Sequence, residues 1–206
     1  MDDQPPQGQV AIGTKIKEAG LSGAILSFGG TIWLALGFIG LEGFGGYVPF
    51  ICVLIAGVSL VSMNLRNYFI GKKLPQSESN FSKNRKTYLL VNRLQYGGLI
   101  LTLIITNVLK EELFLMPVIG VIVGLHFIGL RNVISKTPAY LKGLILIAVS
   151  ILSVLLLPSK FTFGMPIDHQ FIIWGLVPGI VAAATLWSDA TRALARGLSL
   201  VRATRK

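Results

Sequence analysis

For acid–base, thiol or metal chemistry this 206-residue chain offers two histidines, one cysteine and nine acidic residues. His126 stands out among them, because it lies in an almost wholly apolar stretch from Pro117 to Asn132. An ionisable side chain in such a stretch is costly, and it marks a functional-site hypothesis by default. It precedes Arg131 by five residues, which places it about 7 Å inside the end of a helix rising 1.5 Å per residue. Other polar groups fall at comparable depth. Asn92, Arg93 and Gln95 begin one apolar run, Asn64 and Arg66 end another, and Ser188 and Asp189 close a third. The chemistry this constellation suggests is a solute or proton site, in which His126, Gln95, Asn92, Thr102, Asn64 and Asp189 are the candidate substrate-binding residues. Its imidazole would change charge near neutral pH, as an unperturbed histidine does. The structural alternative is a neutral histidine bonded to Gln95 or to a backbone carbonyl, tying two helices together.

Catalytic constellations are scarce. No acidic residue lies well inside an apolar run, which removes paired-carboxylate chemistry. Gly20-Leu-Ser22-Gly23 could suggest an intramembrane serine nucleophile, yet no histidine is arranged to partner Ser22. His126 and His169 fall at different depths, so together they cannot hold one metal. Axial haem ligation by His126 alone has no supporting residue. Cys52 lies alone in an apolar run, so there is neither a disulfide framework nor a cysteine metal site. No glycine loop of the phosphate-binding kinds occurs outside the apolar runs. The sequence therefore points to no enzyme, no cofactor and no metal.

The elements that must position these residues follow from composition. Hydrophobic residues make up 52% of the chain and charged ones 14%, against about a quarter charged in a soluble domain. The difference comes from apolar runs of membrane-spanning length. We expect an all-α membrane protein with six transmembrane helices, at Leu21–Gly40, Val48–Met63, Tyr88–Leu109, Leu113–Leu130, Tyr140–Leu157 and Phe171–Trp187. No alternating pattern competes with helix, and only helices or closed barrels satisfy the backbone in lipid. Residues 1–20 read as a polar tail with an amphipathic lead-in, and 188–206 as a basic tail. The acidic N-terminus lacks the basic region and cleavage site of a signal peptide, so the first span is expected to stay as an uncleaved anchor.

The net charge of +10 is explained by topology, not by nucleic acid. All but two of the nineteen basic residues, Lys110 and Lys160, fall on one side of this six-span arrangement. The positive-inside rule then makes both termini cytoplasmic. The sequon at Asn80 falls on that side and reads as chance.

Matching segments recur 68 residues apart. Phe28-Gly29-Gly30 pairs with Tyr96-Gly97-Gly98, Pro49 with Pro117, and, after a shift of three residues, both copies end in Leu-Arg-Asn, at 65–67 and 130–132. Two-helix units return the chain to its starting side, so such hairpin repeats would be parallel, two or three in number. Within the spans, Asn92, Gln95, Leu99, Thr102 and Thr106 share one helix face. Rows of small residues run along the first (Gly23, Ser27, Gly30, Gly37), fourth (Gly120, Gly124) and sixth (Gly175, Gly179, Ala183) spans. Polar stripes should turn into a bundle, and small residues let backbones approach.

Val123-Gly124-Leu125-His126-Phe127, with Pro117 before it and Pro138-Ala-Tyr140 and Gly143 after it, resembles an uncharacterised family of small bacterial six-helix integral membrane proteins. The family's pattern continues the His-Phe with an aliphatic residue and then Pro-Leu-Ala; this chain has Ile128-Gly129-Leu130-Arg131, without the proline. Weaker echoes are Val91-Asn92, Gln95 and Leu186-Trp187. The resemblance covers the second half of the chain. It implies a six-helix bundle in the bacterial inner membrane and brings no activity with it.

Two functions are compatible with these residues. One is a small-solute transport-type bundle with a cytoplasm-facing polar pocket. The other is a non-catalytic membrane subunit or scaffold acting through helix contacts with a membrane protein partner or a second copy. In either case the bilayer is the first partner, with Arg66, Arg93 and Arg131 reaching anionic headgroups.

Overall fold

The computed structural model describes residues 7–39, 48–76, 84–132, 136–161 and 171–204. Six α-helices run in chain order: α1 (Gln7–Ile39), α2 (Val48–Lys72), α3 (Arg85–Leu109), α4 (Leu115–Gly129), α5 (Lys136–Leu156) and α6 (Ile173–Ala203). A two-residue antiparallel ladder, β1 (Lys160–Phe161) on β2 (Phe171–Ile172), is the one strand pairing among the described residues. Five of the six helices are long and apolar enough to cross a membrane. The exception, α4, has 15 residues and is flanked by turns of 3-10 helix at Glu112–Phe114 and Leu130–Asn132.

The helices coincide with the six expected spans at the end carrying few basic residues and overrun them at the basic end. There α1 is already helical at Gln7, α2 continues to Lys72, and residues 188–203, read as a tail, extend α6. The cause lies in the pattern of α6. Ala190, Leu194, Gly197 and Val201 are buried at spacings of four, three and four, a helical stripe that continues packing after the uniformly apolar sequence has ended. By contrast α3 ends where Lys110 adopts the left-handed conformation (φ 56°) and donates its N–H to Asn107 O at 3.2 Å, while Glu111 N–H reaches Thr106 O at 3.0 Å. Those two bonds close the helix end.

Glycine determines which helices meet. Along α1, a Cβ at Gly20 would collide with the backbone of Tyr68 and Asn64, and Gly71 of α2 lies equally close to the backbone of Lys17. On another face of α1, Gly37 packs on Gly179 and Gly175 of α6, and Gly30 makes room for the Trp187 ring. The helix is thus clasped on two sides, by α2 and by α6. A second seam joins α4 to α5, where Gly124 meets Gly143 and Gly120 makes room for Ser150. The small-residue rows are packing surfaces.

Between the two seams lies a core of Trp33, Val123, Phe127, Leu146, Ala182, Ala183 and Leu186. At the end away from the basic residues, Trp174 Nε1 donates to Leu157 O at 2.9 Å and its ring packs on Phe114. Helix α3 lies outside this arrangement. It packs chiefly on α4, and its buried residues are Thr102 and Thr106.

Candidate functional site

The six candidate residues lie in three places. Asn64 is fully buried between α1, α2 and α6. Its Nδ2 donates to Leu60 O in its own helix at 3.0 Å and reaches Ser27 Oγ at 3.4 Å and Ala190 O at 3.5 Å. Its Oδ1 has no hydrogen-bond donor among the described residues and faces Gly23, which is small enough to admit it. An amide oxygen against a glycine Cα is a close fit with a weak C–H contact. No guest could enter without moving a helix.

One turn on, Asn67 repeats the arrangement. It is fully buried, its Nδ2 donates to Leu194 O at 3.3 Å, and its amide occupies the notch at Gly197. The sequence reading did not single out Asn67 as a site. The signal was present, since Asn64 and Asn67 are spaced i, i+3 on an apolar helix and so share a face. Trp187 adds a third tie, its Nε1 donating to Ser27 O at 3.2 Å. Ser27 Oγ and Thr31 Oγ1 donate back to Gly23 O (2.7 Å) and Ser27 O (2.8 Å) of their own helix. In a seam excluded from water these bonds fix the helices' register, because a released amide would find no replacement partner.

Asp189 is elsewhere. Near the basic end of α6 it forms a half-buried ion pair with Lys142 at the start of α5, with Arg192 3.8 Å away on its other oxygen. Asp189 therefore fastens α5 to α6.

His126, Asn92, Gln95 and Thr102 all belong to the α3–α4 pair, but Thr102 stands ten residues, about 15 Å, along α3 from Asn92, so the four are spread along the helices and not gathered at one point. Ile122, His126 and Gly129 of α4 share a face. A Cβ at Gly129 would lie 3.1 Å from Val91, and Gly98 of α3 rests on Ile122. The imidazole is half-buried and stands edge-on to Phe127 with ring centroids 6.0 Å apart. Its Nδ1 is buried and without a hydrogen-bond partner among the described residues. The polar stripe of α3 does face α4. Asn92, Gln95 and Leu99 are half-buried, and Thr102 and Thr106 are buried. Its hydroxyls, however, do not cross to α4: Thr102 Oγ1 donates to Gly98 O at 2.8 Å and Thr106 Oγ1 to Thr102 O at 2.9 Å, both within α3. A groove of about 380 Å³ on α3 is lined by Leu103, Ile104, Asn107 and Val108, none of them a candidate site residue.

Arg66, Arg93 and Arg131 are all exposed. Among the described residues no three His, Cys, Asp or Glu side chains are grouped to hold a metal; His169, Asp168 and Asn80 lie outside those residues. Comparison of the chain with models of known families, with curated proteins and with solved structures found no match.

Proposed function

We propose that the chain is a multi-pass integral membrane protein without a catalytic role, acting as a scaffold or subunit through helix contacts with a membrane partner. In this reading α1, α2 and α6 form a rigid frame and α3 is the helix free to exchange contacts. The observation that carries it is the use of the buried amides: Asn64 and Asn67 tie neighbouring helices together and line no space for a solute. On α3, Gly97 has nothing within 4 Å of where a Cβ would stand, so another helix could approach closely there. Co-purification in mild detergent, or chemical cross-linking in native membranes, tests the reading. Gly97→Leu should abolish the association while leaving the monomer's thermal unfolding unchanged. A monomeric protein that cross-links to nothing in its own membrane contradicts it.

A second reading, a small-solute transport-type bundle with a cytoplasm-facing pocket, is favoured by one observation, the unpartnered Nδ1 of His126 between α3 and α4. A solute that stabilises the wild type and not His126→Ala would support transport over scaffold. The distribution of Lys and Arg supports cytoplasmic termini under either reading, and the exposure of Arg66, Arg93 and Arg131 supports contact with headgroups. The matching segments of α1–α2 and α3–α4 support a hairpin repeat. The Val-Gly-Leu-His-Phe motif supports kinship with the small bacterial six-helix proteins, and hence the inner membrane.

A further inference from the structure

Beyond Trp187, α6 carries on as a two-faced helix. Ala190, Leu194, Gly197 and Val201 are buried, and Arg192, Arg196 and Arg202 are exposed. At 100° per residue the three arginines fall within about a third of a turn of one another, opposite the buried stripe. The bond from Asn67 to Leu194 O fixes this face rigidly against α2. The nearby acid, Asp189, is shared between Lys142 and, at 3.8 Å, Arg192, and so offsets only part of the charge. The helix macrodipole does not account for the set, because its influence fades within the last turn. Arg192 and Arg196 stand two or three turns inside the end at Ala203.

Register then selects the partner. Asn67 and Leu194 stand level, and the apolar part of α2 gives way at the exposed Arg66. Arg192 and Arg196 therefore flank the level at which hydrocarbon ends. They are separated by a rise of about 6 Å, comparable to the depth of one headgroup layer. Arg202 lies about 9 Å further on, with a long side chain able to turn back. Arginine forks match phosphate oxygens in pairs. We propose that the Arg192–Arg196–Arg202 face of α6 is a docking surface for anionic phospholipid headgroups. It is independent of what the bundle carries or contacts.

The test is a thermal-unfolding titration of the full chain in zwitterionic detergent with short-chain phosphatidylglycerol, and with phosphatidylcholine of equal chain length as the control. Ligand that binds the folded state raises Tm by an amount that grows with the logarithm of its concentration over Kd. The wild type should be stabilised by phosphatidylglycerol alone, and the effect should shrink at high salt. R192Q/R196Q/R202Q should weaken binding on the order of fivefold per charge removed. The matched arginine-to-lysine triple, which keeps the charge and loses the paired contacts, should bind less tightly than the wild type and more tightly than the glutamine triple, and K72Q/K73Q should change binding less than twofold. Equal phosphatidylglycerol binding by the wild type and the glutamine triple would overturn the proposal. So would arginines dispensable for lipid but required to retain an acidic soluble protein.

Discussion

The hairpins α1–α2 and α3–α4 carry matching sequence and are held very differently. Each has a Gly-Gly pair, a proline opening its second helix and a Leu-Arg-Asn at its end. In the first, Gly30 makes room for Trp187, Gly20 admits the backbone of α2, and two asparagines reach across to α6. In the second, Gly97 faces nothing, Gly98 touches only Ile122, and the threonines satisfy themselves within α3. The difference comes from the number of faces. Helix α1 has small residues on two sides and takes two partners, whereas α3 has one narrow stripe and takes one. A shared motif thus specifies where a helix can be approached; the third helix available decides whether it is. The glycines of the first hairpin hold the frame together; of those in the second, Gly120 and Gly124 of α4 pack on α5, and Gly97 of α3 is left open.

Substitutions can break this contrast. The largest effect is expected at Gly20→Ala, which forces the backbones of α1 and α2 apart and should destabilise by about 2 kcal/mol, within the range for overpacking, read by thermal or denaturant unfolding. Asn64→Ala should cost about 1–2 kcal/mol in the same assay, since it removes the bonds to α1 and α6 and leaves a small void. Lys142→Met should cost roughly 1 kcal/mol or less, because the pair with Asp189 is only half-buried and Arg192 remains close by. His126→Ala should lower stability by well under 1 kcal/mol, as it loosens only the α3–α4 seam. A double-mutant cycle pairing it with Asn64→Ala would sharpen that assignment: the two sit in different seams, and their coupling should be nil.

The six helices were legible in the sequence because uniform apolar runs of spanning length leave one structural option in lipid. Their overrun at the basic end was harder to see. Arginines interrupt the apolar run after Trp187, and the stripe from Ala190 to Val201 is built partly from alanine and glycine, which carry little hydrophobic signal. The grouping of the candidate site was not legible. His126, Asn64 and Asp189 all lie toward the ends of their helices that carry the basic residues. Yet depth carries no information about which helices are neighbours. Asn64 belongs to the α1–α2–α6 seam, Asp189 to α5–α6, and only His126, Asn92, Gln95 and Thr102 share α3–α4. The inward face of α3 was readable from its period; that its hydroxyls bond back within the helix was not, because serine and threonine have that option in any helix.

The most direct test sets Gly20→Ala beside Gly97→Ala in one unfolding experiment. The first should lose about 2 kcal/mol. The second, whose new methyl meets nothing in the chain, should stay within about 0.5 kcal/mol of wild type. Comparable losses at both positions would mean that the two hairpins are held alike, and the division into a rigid frame and a loosely held α3 would fail.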